Sequence, residues 1–421
     1  MALIRRTLLG SVDLRITVVT PFLDRRHGTE RALAEQLDRL VLRYHDQVHL
    51  YAQQLNDMQS ASLDASNRPA NVSFHWHRVP KIPGPHLVQF LCWFVSNTLI
   101  RKWPSKRRPS PGDHVILSPG INCLDAEVIV VHALFCRLAE LSRAHPGEHL
   151  TLRHRVHQLH RRLFYLLLSA LERRIYSDPK VSLAAVSPRI AGLLAQYFGR
   201  TDVKIVPNGV DCAQFCPAAR LAKRQNARGL RNFRDTDVVL LLIGNDWRVK
   251  GVPAILAAIT AARALPLQLL VVGTDDPGPY LKLASRLEIA DRCRWERPNT
   301  DVMTFYAAAD IYVSPSQEDS FGLPVLEAMA CGLPAITSVF AGVCALIHSE
   351  VDGFVLSDPH DTQTLGQLLK RLFDDHDYRL RIGQAAAKTA ERYTWDRSAQ
   401  LLREILSDRA SKKRDALAVS A

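Results

Sequence analysis

The chain has 421 residues, 47% of them hydrophobic, enough for two domains with cores of their own. Its eight cysteines, at 92, 123, 136, 212, 216, 293, 331 and 344, include no C-x-x-C pair, which excludes a disulfide or zinc framework and reads as reduced thiols in a cytosolic protein. The net charge of +12 falls entirely in the first half, where residues 1–210 hold 28 Lys and Arg against 16 Asp and Glu; the remainder holds 26 of each. An anionic partner such as a lipid surface, a lipid phosphate or an acidic glycan is therefore expected to meet that half, while nucleic acid, which suits the sign, finds no recognition motif.

The chain opens on "MALIRRTLLG", which is basic but runs into Asp13 and Arg15 instead of the apolar core of a signal peptide. No run reaches the roughly 18 apolar residues of a membrane span. "RITVVT" (15–20) reads as a strand and "GTERALAEQLDRLVLRY" (28–44) as an amphipathic helix. "VHLYA", "VSFHWHRV", "HVILS", "EVIVVH", "SLAAVS" and "VKIVPN" continue the strands of the first half. Between them, "HLVQFLCWFVSNTLI" (86–100) is apolar nearly all round and is followed by "RKWPSKRRP". It is too short to span a bilayer, so it is a core helix or an interfacial wedge, and all-round apolarity favours the core. The long basic helix 151–176 carries His154, His157 and His160, but a three-residue step drifts around a helix and neighbouring arginines repel a metal ion. A solvated or lipid-facing basic surface is the better reading there.

After "PNGVD" (207–211) and a basic stretch at 219–234 the pattern restarts with "VVLLLIG", "LQLLVVG", "CRWE", "DIYVS", "PAITS" and "FVLS", alternating with helices such as 252–264. Asn208 and Gly209 suit a turn. Two βα series predict an α/β chain of two doubly wound domains with a cleft between them, 1–207 and 208–392. A helix follows from 393 to 409, and residues 410–421 read as a frayed tail.

Two stretches of the second domain carry chemistry. The strand "VVLLLIG" runs into "NDWRVKG" (245–251), which sets Arg248 and Lys250 at the C-terminal sheet edge, where α/β ligands bind. In "SPSQEDSFGLPVLEAMACGLPAI" (314–336) a strand passes through a Phe-Gly turn into a helix begun by Pro324 and stopped at Gly332. The amides of Ser320, Phe321, Gly322 and Leu323 then sit at a helix N-terminus suited to phosphate, and Glu327 can accept hydrogen bonds from a diol. Helix amides for the diphosphate and Glu327 for ribose hydroxyls together describe a nucleoside diphosphate site; helix-dipole stabilisation alone would also account for Asp319 and Glu327. "DTD" (235–237) precedes its strand instead of ending one, so it is discounted as a metal motif.

"EDSFGLPVLEAMACGLPAI", with "GNDWRVKG", "VPNGVD" and "VTPFLDRRHGTERALAEQLDRL", resembles the family 4 retaining glycosyltransferases of the GT-B fold, most tightly over 238–357. The resemblance implies two Rossmann-like domains facing across a cleft, the first for the acceptor and the second for the nucleotide-sugar, with the last helix crossing back. It implies that Glu327 holds the ribose hydroxyls and that Arg248 and Lys250 hold the diphosphate, helped by amides near Phe321 and Gly322. The family's Glu eight residues before Glu327 is Asp319 here, and Glu318 is its neighbour, a possible substitute should the loop shift. Gly28 matches a phosphate-side loop, and His132, at the end of "EVIVVH", matches a cleft histidine; the alternative for His132 is a hydrogen-bonded core position. The activity implied is metal-independent, cofactor-free transfer of a sugar to a glycan or lipid-linked acceptor in cell-envelope synthesis, in the cytoplasm or at its membrane face. A nucleotide-sugar epimerase on the same fold and a non-catalytic nucleotide-sugar-binding subunit stay open beside it.

Overall fold

The computed structural model describes residues 14–62, 73–103, 114–144 and 152–420. The opening decapeptide, the basic run after Trp103 and the side chains of His154 and His157 lie outside the described parts. The chain divides into two compact units, one of residues up to Val186, Ile190–Val206 and Ser398 onward, the other of Ser187–Arg189 and Pro207–Arg397.

The first unit contains β1 (Arg15–Val19), β2 (Phe22–Leu23), β3 (Gln47–Ala52), β4 (Gln54–Leu55), β5 (Phe74–Arg78), β6 (Val115–Pro119), β7 (Val128–Val131), β8 (Ser182–Ala185) and β9 (Lys204–Ile205). Seven of them form a parallel sheet in the order β5-β3-β1-β6-β7-β8-β9, while β2 and β4 pair by themselves. Its helices are α1 (Gly28–Leu42), the short α2 (Gln59–Ser62), α3 (His86–Lys102), α4 (Phe135–Ala144), α5 (Leu152–Tyr176) and most of α6 (Pro188–Phe198). Strand order reverses between β1 and β6, as a doubly wound sheet requires. Central strands such as β7 are buried along their whole length, so they read as continuous apolar runs and not as alternation.

Two expectations fail in this unit. The apolar helix α3 is not a core helix: Trp93 and Asn97 are buried, whereas Val88, Leu91, Val95 and Leu99 are exposed. Its polar groups select the inner face, because the Asn97 amide donates to the carbonyls of Trp93 at 2.8 Å and Asn122 at 3.1 Å. The segment after 409 is not a frayed tail either. It continues helix α14 (Trp395–Ser420), where Lys413 Nζ lies 3.0 Å from Glu127 and 2.8 Å from the His114 carbonyl. Earlier in α14, Arg403 clasps the fully buried Asp46 at 2.8 and 2.9 Å. Opposite charges spaced along one helix face fasten it well past its apolar residues.

The second unit is built on β10 (Val238–Ile243), β11 (Leu267–Val272), β12 (Cys293–Glu296), β13 (Ile311–Ser314), β14 (Ala335–Ser338) and β15 (Phe354–Leu356), in the parallel order β12-β11-β10-β13-β14-β15. Helices α7 (Pro217–Gly229), α8 (Val252–Ala261), α9 (Gly278–Arg286), α10 (Met303–Ala308), α11 (Leu323–Ala330), α12 (Thr362–Asp374) and α13 (His376–Ala390) complete it. Every second strand residue, among them Val238, Leu240, Leu242, Leu269, Val271, Ile311 and Val313, joins one core with Ile255 and Ile259 of α8 and Leu365, Leu369 and Leu372 of α12. The alternate residues Val239, Leu241 and Tyr312 are equally buried, so helices cover both faces. The basic stretch at 219–234 is mostly α7, whose arginines turn inward: Arg228 reaches Asp310 at 3.0 Å and the Ala308 carbonyl at 3.1 Å. Those contacts moor α7 to α10 and the entrance of β13.

Candidate functional site

The second sheet reverses its order between β10 and β13, and the C-terminal ends of these two strands carry the candidate residues. From β10 the chain enters a tight loop, 244–251. The buried indole of Trp247 plugs it, donating to the Gly244 carbonyl at 2.8 Å, and the Asp275 carboxylate at the end of β11 accepts from the backbone N–H groups of Asp246 and Trp247 at 3.0 and 2.8 Å. Gly251 closes the loop with φ of 87°, pressed against the Pro315 carbonyl so that any Cβ would collide. Arg248 projects to the surface from this loop, and Lys250 is half-buried.

From β13 the chain passes through residues 315–319, bending at Gln317 and bridging Asp319 to Ala341, before α11 starts. The Gln317 amide donates to the Val249 carbonyl at 2.7 Å, which knits the two loops together. Lys250 Nζ contacts Asp319 Oδ2 across that junction, with the two side chains 20% and 16% exposed. Asp319 also accepts from the Phe321 N–H at 3.3 Å, so one of the amides expected for phosphate is shared with this carboxylate. Gly322, in the left-handed region at φ of 95°, caps the N-terminus of α11, and Leu323 and Pro324 begin its first turn. The Ser320 carbonyl accepts from the Ser187 hydroxyl at 2.8 Å.

Glu318 is not a substitute for Asp319. It makes a bidentate pair with Arg189, at 3.2 and 2.7 Å, and the Arg189 guanidinium lies 5.0 Å from the centroid of the Phe340 ring. The adjacent carboxylates therefore diverge, Glu318 to Arg189 and Asp319 to Lys250. Asp319 alone of the two meets Lys250.

Glu327 is buried on α11, 3% exposed, and its Oε2 accepts a 2.6 Å hydrogen bond from the Tyr306 hydroxyl of α10. Burial, with Glu327 beside it, holds the Tyr306 phenol far above its ordinary range, so it is a fixed donor. A second phenol, Tyr312 of β13, donates to the Ile243 carbonyl at the end of β10 at 3.2 Å. Burial pushes its pKa up most, and the carboxylates of Asp319 and Glu327 push it further up. Both acids therefore act on one ring between the two strand ends. The structure thus gathers Lys250, Asp319 and Glu327 around the β10–β13 switch point, with Arg248 at the rim. Tyr306 and Tyr312 were missed: each sits in an apolar strand or helix segment where nothing local separates a positioning phenol from a core aromatic.

Two candidates belong to the first unit. Gly28 is exposed and opens α1, whose preceding turn is drawn in by Asp24, accepting from the Arg26 and His27 N–H groups at 2.8 and 3.1 Å. His132 follows β7. It is buried, burial pushes its imidazole down to about 4, and its Nε2 has no hydrogen-bond partner among the described residues. A satisfied core histidine would have one, so the geometry leaves a neutral ring with an open nitrogen. Among the described residues no group of three or more His, Cys, Asp or Glu is placed to hold a metal. Asp237 of "DTD" instead accepts from the Arg234 N–H at 2.8 Å.

Residues 223–389 match the model of the family Glycosyl transferases group 1. Among curated proteins, the D-inositol 3-phosphate glycosyltransferase of Salinispora tropica is 32% identical over 233 residues, 52% of this chain and 48% of that protein. The chain spans about half the length of the curated relatives it matches. Among solved structures, WaaG, a glycosyltransferase involved in lipopolysaccharide biosynthesis, superposes with a TM-score of 0.72 at 18% identity, over 93% of this chain and 99% of that one. Anabaena HepE in complex with UDP-glucose gives 0.64 at 17%, over 94% and 100%. The fold is GT-B, as the sequence led us to expect, and the part of the second unit over residues 223–389 is similar to the glycosyl transferases group 1 family.

Proposed function

We propose that this chain moves a sugar from a nucleoside diphosphate sugar to a hydroxyl acceptor, with retained anomeric configuration and without a metal. The observation that carries the reading is the Lys250–Asp319 contact at the sheet's switch point, with Glu327 held by Tyr306 on the helix that begins beside it. On this reading Glu327 accepts from the ribose hydroxyls, and Lys250 and Arg248 neutralise the diphosphate together with the N-terminus of α11. Asp319 meets the sugar hydroxyls. In front-face attack the bond from the anomeric carbon to the phosphate oxygen breaks, the acceptor oxygen takes its place, and the acceptor proton passes to the departing phosphate oxygen. No protein base is needed for that step. The chain's task is to stabilise charge developing on the leaving group.

His132 and Gly28 are the proposed residues of the acceptor-binding unit, residues 1–207, with 208–392 as the donor-binding unit. The acceptor is a glycan or a lipid-linked one, used in cell-envelope synthesis at the cytoplasmic face of the membrane. The basic first half supports an anionic or lipid-borne acceptor, and the named roles of WaaG and of the inositol phosphate glycosyltransferases are of this kind.

The test begins with a thermal-shift screen of nucleoside diphosphate sugars on the whole chain, since a ligand bound only by the folded state raises the melting temperature. The donor found is then incubated with and without candidate acceptors, in EDTA. Acceptor-dependent release of nucleoside diphosphate is the expected result. Epimerised nucleotide-sugar formed without acceptor would replace the reading with an epimerase, and binding without turnover would replace it with a carrier subunit.

A further inference from the structure

Residues 318–322, the donor loop on the reading proposed above, lie at a junction of three segments of the second unit. The other two are Ser187–Arg189, which come first in this unit along the chain, and residues 340–343. From 340–343, the Phe340 carbonyl accepts from the Asp319 N–H at 3.0 Å, and the Gly342 N–H donates to the Asp319 carbonyl at 2.9 Å. The Val343 N–H donates to the Phe321 carbonyl at 2.6 Å. From the other side, the Ser187 hydroxyl donates to the Ser320 carbonyl at 2.8 Å, and Arg189 takes both oxygens of Glu318. The three segments meet without spare room. A Cβ on Gly342 would collide with the Ser320 carbonyl oxygen and with the Ser187 side chain, and the Arg189 guanidinium lies over the Phe340 ring. Every residue from Glu318 to Phe321 is therefore fastened, and the Asp319 side chain ends on Lys250.

The backbone hydrogen bonds fix the path of the loop, and the ion pair fixes which carboxylate goes where. The side chains of Arg189 and Glu318 are 18% and 14% exposed, much like those of Lys250 and Asp319. Two neighbouring acids are thus both largely shielded from water, and a shielded charge is costly unless a partner meets it. Arg189 in its place gives each acid its own cation. Without it the Glu318 carboxylate loses its guanidinium, and a loop that turns to bring Glu318 toward Lys250 withdraws Asp319 from the donor sugar. Displacing an orienting group by about 1 Å can cost about a hundredfold in rate. Arg189 itself acts only through Glu318 in this account, and Ser187 only through the Ser320 carbonyl.

We infer that Arg189 and Ser187 are positioning residues for donor-sugar recognition: by holding Glu318 and the Ser320 carbonyl, they keep Asp319 turned toward Lys250 and the sugar. The inference rests on the donor site proposed above and is read from binding, before any turnover. The whole chain is titrated calorimetrically with UDP against UDP-glucose, GDP against GDP-mannose and ADP against ADP-glucose. Arg189→Ala is expected to bind the bare diphosphate within about twofold of the parent and its sugar conjugate about tenfold more weakly, the loss of one hydrogen bond to a charged group. Ser187→Ala is expected to shift the conjugate in the same direction by less. Arg189→Lys, which keeps a cation without the bidentate fork, is expected to fall between Arg189→Ala and the parent. Arg189→Ala/Glu318→Gln is expected to regain most of the loss, because the orphaned charge is gone; this pair and Ser187→Ala also carry the test if Arg189→Ala fails to fold. In the Asp319→Asn background, Arg189→Ala is expected to cause no further loss, since it acts through that carboxylate. Equal weakening of diphosphate and conjugate, or an undiminished further loss beside Asp319→Asn, would mark a merely structural residue and overturn the inference. Unchanged conjugate binding by Arg189→Ala overturns it too. A parent that binds the conjugate without transferring its sugar removes the transferase reading alone, with the latch still decided by the affinities, whereas a parent that binds none of these compounds overturns both.

Discussion

Removing the Lys250 ammonium is the perturbation that probes the donor site most directly. Its ammonium contacts Asp319, and both side chains are about four-fifths shielded from water. Lys250→Ala therefore has two effects. It removes a cation from the developing charge on the leaving diphosphate, and a lost transition-state donor of this kind costs about 3 kcal/mol, a hundredfold or more in rate. It also leaves the Asp319 carboxylate unpaired next to where that anion must sit. Asp319→Asn placed in the Lys250→Ala background removes the second penalty, so the double variant should bind nucleoside diphosphate about tenfold more tightly than Lys250→Ala alone, a coupling of about 1.4 kcal/mol, within the range for residues in contact. Asp319→Asn by itself should bind free nucleoside diphosphate about as well as the parent, because Lys250 remains to meet the diphosphate, yet transfer the sugar more slowly. Titration calorimetry with nucleoside diphosphates and steady-state transfer kinetics give the two readouts, with far-ultraviolet circular dichroism as the check on folding. Near-normal turnover by Lys250→Ala, or strictly additive effects in the double variant, would refute the assignment.

Two further perturbations address the parts around that pair. Tyr306→Phe deletes the donor to Glu327 without changing ring packing; a hydrogen bond to a charged group contributes about 1.5–3 kcal/mol, so donor KM should rise roughly tenfold or more with little change in kcat, measured by initial rates at saturating acceptor. His132 is held at about 4, below its unfolded value of about 6.5, so the unfolded chain binds the proton first as pH falls; stability is full above pH 6.5, declines from there to pH 4, and His132→Gln should flatten part of that decline in melting temperature relative to the parent.

The strands and the two-unit organisation were legible because parallel strands buried on both faces leave uninterrupted runs such as "VVLLLI". Lys250, Asp319 and Glu327 were legible through their neighbours: a glycine that must adopt positive φ at 251, another at 322, and a proline in the first turn of α11. What escaped is what depends on a second segment. Tyr306 finds Glu327 only because α10 is moored to α7 by the arginines of a stretch that reads, in one dimension, as surface charge.

The same limit explains both Glu318 and α3. Two adjacent carboxylates look interchangeable on a line, but in the fold one meets Arg189 and the other Lys250. For α3, hydrophobicity around the whole helix carries no information about which side is inside. The decisive group was the single Asn97, which has to satisfy its amide within the protein and so turns the leucines outward. A fully buried, satisfied amide in a largely apolar helix is then evidence about orientation.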